Sequence, residues 1–154
     1  MIILKNNRLL DLFTLKKYDS QQMYKIYDQW PEIALKSFEF EHVPINFDNI
    51  KHIVIAGMGG SGAIGDMFES ILSKSKIHVN VVKGYTLPQT VDTDSLVITV
   101  SVSGNTAETL SVLESALKIG CKIIAFSSGG KMQEYCEKNK IEYRFVPAYH
   151  SPRA

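Results

Sequence analysis

Residues Ile53–Asp66, IVIAGMGGSGAIGD, decide how the rest of the chain is read. A short apolar run rich in β-branched residues enters six residues, Gly57 to Gly62, of which four are glycine and only Ser61 has a polar side chain. A helical pattern follows directly. A buried strand, a bare turn and a helix in that order open a βαβ unit. Glycine lets backbone approach a ligand closely, and a helix that begins behind such a turn aims N–H groups at it.

The pattern recurs downstream. Apolar runs predict strands at His52–Ala56, Ile77–Val82, Leu96–Val100, Lys122–Phe126 and, more weakly, Glu142–Val146. Segments of helical length, Ala63–Ser73, Ala107–Ile119 and Lys131–Lys138, lie between most of them, and Gly84–Asp94 with Pro88 reads as an irregular crossover. Alternation of this kind predicts an α/β fold: a three-layer sandwich around a five-stranded parallel sheet, in the flavodoxin-like order 2-1-3-4-5. Upstream, DSQQMYKIYDQW sets Met23, Ile26, Tyr27 and Trp30 at steps of three and four, with Asp19 or Ser20 placed to cap a helix. Pro31 ends that helix or starts a second, PEIALKSF. The expected organisation is an N-terminal helical extension over 1–50 and the α/β domain over 51–154.

Composition bounds the function. The 154 residues are 45% hydrophobic and 21% charged, as in an ordinary globular domain. Seventeen basic residues against sixteen acidic give a net charge of +1, too weak a field to gather nucleic acid or an anionic membrane. Cys121 and Cys136 form no C-x-x-C pair, and His42, His52 and His78 are scattered, so no metal site is expected. The opening MIILKNNRLLDLF is broken by charge too early for a signal peptide, and no apolar run approaches the ~20 residues that span a bilayer, so a cytoplasmic protein with reduced thiols is expected.

Ligands of open α/β sheets bind beyond the carboxyl ends of the strands, near the reversal of strand order. Three loops should meet there: GMGGSG (Gly57–Gly62), SVSGNT (Ser101–Thr106) and SSGGK (Ser127–Lys131). Their amides and hydroxyls make a cradle for a phosphate. Hydrogen bonds to a charged acceptor contribute roughly 1.5 to 3 kcal/mol each and a helix N-terminus about 0.3 to 1, so a neutral cradle suffices for micromolar binding. Small residues at such turns also serve plain tight turns and helix caps. Gly57, Gly59 and Gly62 fit the spacing of a dinucleotide fingerprint, but the second strand ends in NVVKGY, with no acidic residue for a ribose. The P-loop fails because Ala63 and Ile64 follow Gly62. Gly59-x-Ser61-x-Ala63 approaches a nucleophile elbow, with only His150 as a candidate partner, which ranks a hydrolase last.

Together IVIAGMGGSGAIGD, SVSGNTAETL, SSGGKM and the terminal PRA closely resemble the SIS (sugar isomerase) domain that forms the first half of bifunctional phosphoglucose/phosphomannose isomerases. The likeness runs from about Tyr18 to the last residue, and Tyr85–Pro88 (YTLP) fits it. The resemblance implies that Gly59, Gly60, Ser61, Ser101, Ser103 and Thr106 bind a hexose 6-phosphate. It also implies that Arg153 stabilises an enediolate, a task suited to a permanently charged guanidinium. No metal or organic cofactor is implied, and a homodimer is expected. The proton-shuttling glutamate, the ring-opening histidine and a further lysine are implied to belong to a second SIS half. The chain is therefore expected to be a truncated protein or an excised domain. A phosphosugar sensor and a dinucleotide-binding domain are the competing readings. Glu108 in a first helical turn reads as a dipole partner before a catalytic base, and Lys131 as a helix opener before a phosphate ligand.

Overall fold

The computed structural model describes residues 11–41 and 43–148. His42, His150 and Arg153 lie outside the described residues. The chain divides into two compact units, of which one is Ile45–Ala148 and the other holds the N-terminal helices.

Among the described residues the helical unit has three short helices, α1 (Leu12–Tyr18), α2 (Met23–Asp28) and α3 (Trp30–Glu39). Asp11 caps α1 by accepting from the Thr14 N–H. The predicted single helix across Met23–Trp30 is divided after Asp28, and Pro31 sits in the first turn of α3, where its missing N–H costs nothing. Asp19, expected as a cap, accepts from the Tyr24 N–H at 2.9 Å.

The second unit is the α/β domain. Its strands are β1 (His52–Ala56), β2 (His78–Val82), β3 (Leu96–Val100), β4 (Lys122–Ser127) and β5 (Glu142–Phe145). Every pairing is parallel and the order is β2-β1-β3-β4-β5, as expected. The crossover helices are α4 (Gly59–Leu72), α5 (Ala107–Ile119) and α6 (Gly130–Asn139), and no helix interrupts the span between β2 and β3. Helix α4 starts four residues before the predicted Ala63, because Gly59–Gly62 form its first turn. Glycine is disfavoured in helix interiors, but tolerated at the N-terminus, where backbone donors are unpaired anyway.

Alternation along β1 puts the helices on opposite faces of the sheet. Val54 and Ala56 join the main core with Val97 of β3, Val112 and Leu113 of α5, and Met132 of α6. Ile55 faces the other way, where Gly65 of α4 lies so close that a Cβ would stand 2.7 Å from a Val81 methyl and 3.3 Å from an Ile55 methyl. The outer side of α4 exposes Ile64, Met67, Phe68 and Ile71 at helical spacing.

The amino edge of the sheet is closed by its own hydrogen bonds. His52 Nε2 is 2.8 Å from Asn80 Oδ1, and the Ser95 hydroxyl donates to Asp92 Oδ1 at 2.8 Å. That bond holds the Asp92 carboxyl below the usual carboxylate range. Cys121 and Cys136 are free thiols buried in the core, and burial pushes Cys136 up to about 11, which makes it a poor nucleophile. Among the described residues no group of His, Cys, Asp and Glu could hold a metal ion, and no helix is long and apolar enough to cross a membrane.

Candidate functional site

Strand order reverses between β1 and β3, which are hydrogen-bonded neighbours with Ala56 opposite Thr99. Adjacent strands lie about 4.8 Å apart, so the turns leaving them emerge side by side at the carboxyl edge. Helices α4 and α5 then depart over opposite faces of the sheet.

The first turn holds Gly59, Gly60 and Ser61. Met58 is the N-cap and its carbonyl accepts from the N–H groups of Ser61 (3.0 Å) and Gly62 (3.3 Å). The N–H groups of Gly59 and Gly60 donate to no described residue, and both glycines are exposed. Gly62 is required where it stands: a Cβ there would lie 2.6 Å from the Gly57 carbonyl oxygen and 3.1 Å from two carbons of Lys83. Lys83 leaves the end of β2, lies across this turn, and pairs with Asp66 at 2.6 Å. Lys83 stands where a dinucleotide fingerprint needs an acidic residue.

In the second loop, Ser101 and Thr106 come together, with Oγ and Oγ1 2.8 Å apart. Ser101 is buried and Thr106 half-buried, so Ser101 orients the threonine hydroxyl from beneath. Thr106 is the N-cap of α5 but makes no capping bond, and the N–H groups of Ala107, Glu108 and Thr109 donate to no described residue. Ser103 is exposed; its Oγ accepts from the Asn105 N–H at 3.3 Å, which leaves its own proton free to donate outward. Two neighbouring turns at the carboxyl edge thus hold both unpaired amides and hydroxyls.

The third loop differs from the expectation. Its hydroxyls are turned inward: the Ser127 hydroxyl lies 2.9 Å from the Gly129 carbonyl and 3.1 Å from the Tyr143 hydroxyl, and the Ser128 hydroxyl donates to the Val102 carbonyl. At the start of α6, Lys131 N–H donates to Asn105 Oδ1 at 3.2 Å and Met132 N–H to the Gly104 carbonyl at 2.9 Å. The loop is laced to its neighbour. Gly104 enables the close approach: it has φ +65°, and a Cβ on it would fall onto the Gly129 carbonyl oxygen. Asn105, absent from the sequence-derived site, is the hub of this lacing.

The sheet order defines an open, doubly wound α/β domain whose strand order reverses between β1 and β3, the place where such domains take their ligands. The SIS domain family matches residues 46–142, and the chain belongs to that family. It is 41% identical over 128 residues to the bifunctional phosphoglucose/phosphomannose isomerase of Caldicellulosiruptor bescii, covering 80% of this chain and 38% of that protein. The enzyme of the same name from Aquifex aeolicus is 38% identical over 135 residues, covering 86% of this chain and 41% of that protein. The chain spans about two fifths of the length of these curated relatives. In fold it is similar to the phosphoheptose isomerase of Neisseria gonorrhoeae, with a TM-score of 0.55 at 18% identity, covering 66% of this chain and 67% of that one.

Proposed function

We propose that this chain supplies the phosphate-binding part of an aldose–ketose isomerase acting on hexose 6-phosphates. One observation carries the reading: the first turns of α4 and α5 hold five N–H groups without an acceptor among the described residues, beside the free hydroxyl proton of Ser103. Such donors suit a dianionic phosphoryl group, and the family relatives are enzymes named for phosphorylated hexoses. Gly59, Gly60, Ser61, Ser103 and Thr106 are the proposed phosphate ligands, with Ser101 acting through Thr106. Arg153 is proposed, from the resemblance alone, to stabilise the enediolate.

In this reading isomerisation proceeds by ring opening and then proton transfer between C1 and C2. The binding turns supply orientation and charge stabilisation. Glu108 is the one carboxylate in either first turn, at the second position of α5, where it offsets the helix dipole. The base and the ring-opening acid are therefore proposed to lie elsewhere in the working enzyme. Interpreting the molecule as a homodimer is supported by the exposed apolar stripe of α4.

Calorimetry tests the reading. Glucose 6-phosphate is expected to bind with a Kd on the order of 10 μM, through several charge-assisted bonds, and more tightly than NAD or NADP. Tighter dinucleotide binding would overturn it in favour of the fingerprint reading. Interconversion of glucose 6-phosphate and fructose 6-phosphate by this chain alone, at an ordinary enzymatic rate, would show that the base is within it.

A further inference from the structure

Three helices begin at the ligand edge, and they are not equivalent. Helix α4 presents unpaired donors at Gly59 and Gly60, and α5 at Ala107, Glu108 and Thr109. On sequence alone α6 looks the strongest anion site of the three, with two glycines before it and Lys131 in its first turn. Yet two of its leading donors are engaged, Lys131 N–H by the Asn105 side chain and Met132 N–H by the Gly104 carbonyl, while the Gly130 N–H has no acceptor among the described residues.

The Asn105 carboxamide works in both directions. Its Oδ1 accepts from Lys131 N–H at 3.2 Å, while its Nδ2 donates to the Ser103 carbonyl at 2.9 Å. Its own N–H donates to Ser103 Oγ at 3.3 Å, which turns that hydroxyl's proton outward. A carboxamide alone among small side chains carries an acceptor and a donor on one planar group. Aspartate could accept from Lys131, but it could not donate to Ser103, and it would set a negative charge beside an incoming phosphate.

We propose that Asn105 is a positioning residue which takes up the Lys131 donor at the start of α6 and fixes the second loop, so that an anion is taken between α4 and α5 and kept from the Lys131 amide of α6. This inference rests on the phosphate-binding reading above and adds a selection between two competing helix ends. It accounts for a third glycine-rich loop whose hydroxyls are bonded to its neighbours.

The test follows individual amides of the ¹⁵N-labelled full chain during titration with inorganic phosphate and with glucose 6-phosphate. In the wild type the amides of Gly59, Gly60 and Ala107–Thr109 are expected to shift on saturation, while those of Lys131 and Met132 stay in place. In Asn105→Ala the Lys131 amide is expected to respond to phosphate, and affinity for glucose 6-phosphate to fall roughly tenfold, the equivalent of about one hydrogen bond. Asn105→Asp is expected to weaken binding further without the new Lys131 response. A residue of purely structural importance would lower the melting temperature without moving the Lys131 response. A wild-type Lys131 amide that shifts as strongly as Ala107 overturns the proposal, even if the variants fail to fold. Unchanged affinity and an unchanged Lys131 in Asn105→Ala overturn it too. If no amide at this edge responds in the wild type, the phosphate-binding reading fails and takes this inference with it; responses at α4, α5 and α6 together would refute the selection by Asn105 alone.

Discussion

Gly104→Ala is expected to cost about 3 to 5 kcal/mol of stability, from a left-handed backbone and a displaced carbonyl together. For a domain of this size that lowers the melting temperature by roughly 10 to 20 °C. Gly104 has φ +65°, and a methyl group on it would occupy the position of the Gly129 carbonyl oxygen. Neither loop can yield alone. Gly104 also donates its N–H to the Ser101 carbonyl and accepts from Met132, so displacing it disturbs the second loop and the start of α6 at once. Phosphosugar binding should be lost in whatever fraction remains folded. Gly84→Ala is the control, because a Cβ there meets nothing within 4 Å and φ is ordinary. Thermal unfolding of the two variants decides the matter, and a Gly104→Ala protein that melts within about 2 °C of the wild type would refute the account of the lacing.

Removing the hydroxyls of the second loop is expected to act on binding and leave the fold standing. Ser103→Ala and Thr106→Ala should each weaken glucose 6-phosphate binding roughly ten- to a hundredfold, the loss of one charge-assisted bond. The two differ in side effects. Ser103 is exposed and its loss should barely move the melting temperature, whereas Thr106→Ala also strands the buried Ser101 hydroxyl 2.8 Å away. Thr106→Ser retains that bond and should recover most of the affinity. Calorimetry on the three variants checks this, and unchanged Kd values in both alanine variants would remove the second loop from the site.

The sheet was readable because buried parallel strands must be apolar on both faces, which makes β1, β3 and β4 near-continuous runs of Ile, Val, Leu and Ala. The order 2-1-3-4-5 is the flavodoxin-like arrangement expected of such a β-α-β alternation, and the parallel pairings have it. Helix α1, seven residues of LFTLKKY, escaped notice because so short a segment has little periodicity to display. Helix α4 begins before the Ala63 that propensity suggests, because propensity penalises Gly59, Gly60 and Gly62 and the first turn is where that penalty matters least.

Within the site, residue types were legible and their connections were not. Serine, threonine and glycine near a switch point signal donors, which is chemistry that composition carries. The contacts that shape the site span sequence distances no periodicity reports: Asn105 reaches Lys131, and Lys83 reaches Asp66. These pairs depend on which loops the sheet sets side by side. The third loop shows the consequence, since its sequence matches the other two in composition and its hydroxyls and the Lys131 N–H are nonetheless taken up by neighbouring groups.

The central claim is that one phosphoryl group sits between the first turns of α4 and α5. A crystal structure of the chain with glucose 6-phosphate measures this directly. The account requires phosphoryl oxygens about 2.7 to 3.2 Å from N–H groups of both turns and from the Ser103 or Thr106 hydroxyl. A phosphate seated on α6, at the amino edge near His52 and Asn80, or on one turn without the other would contradict it.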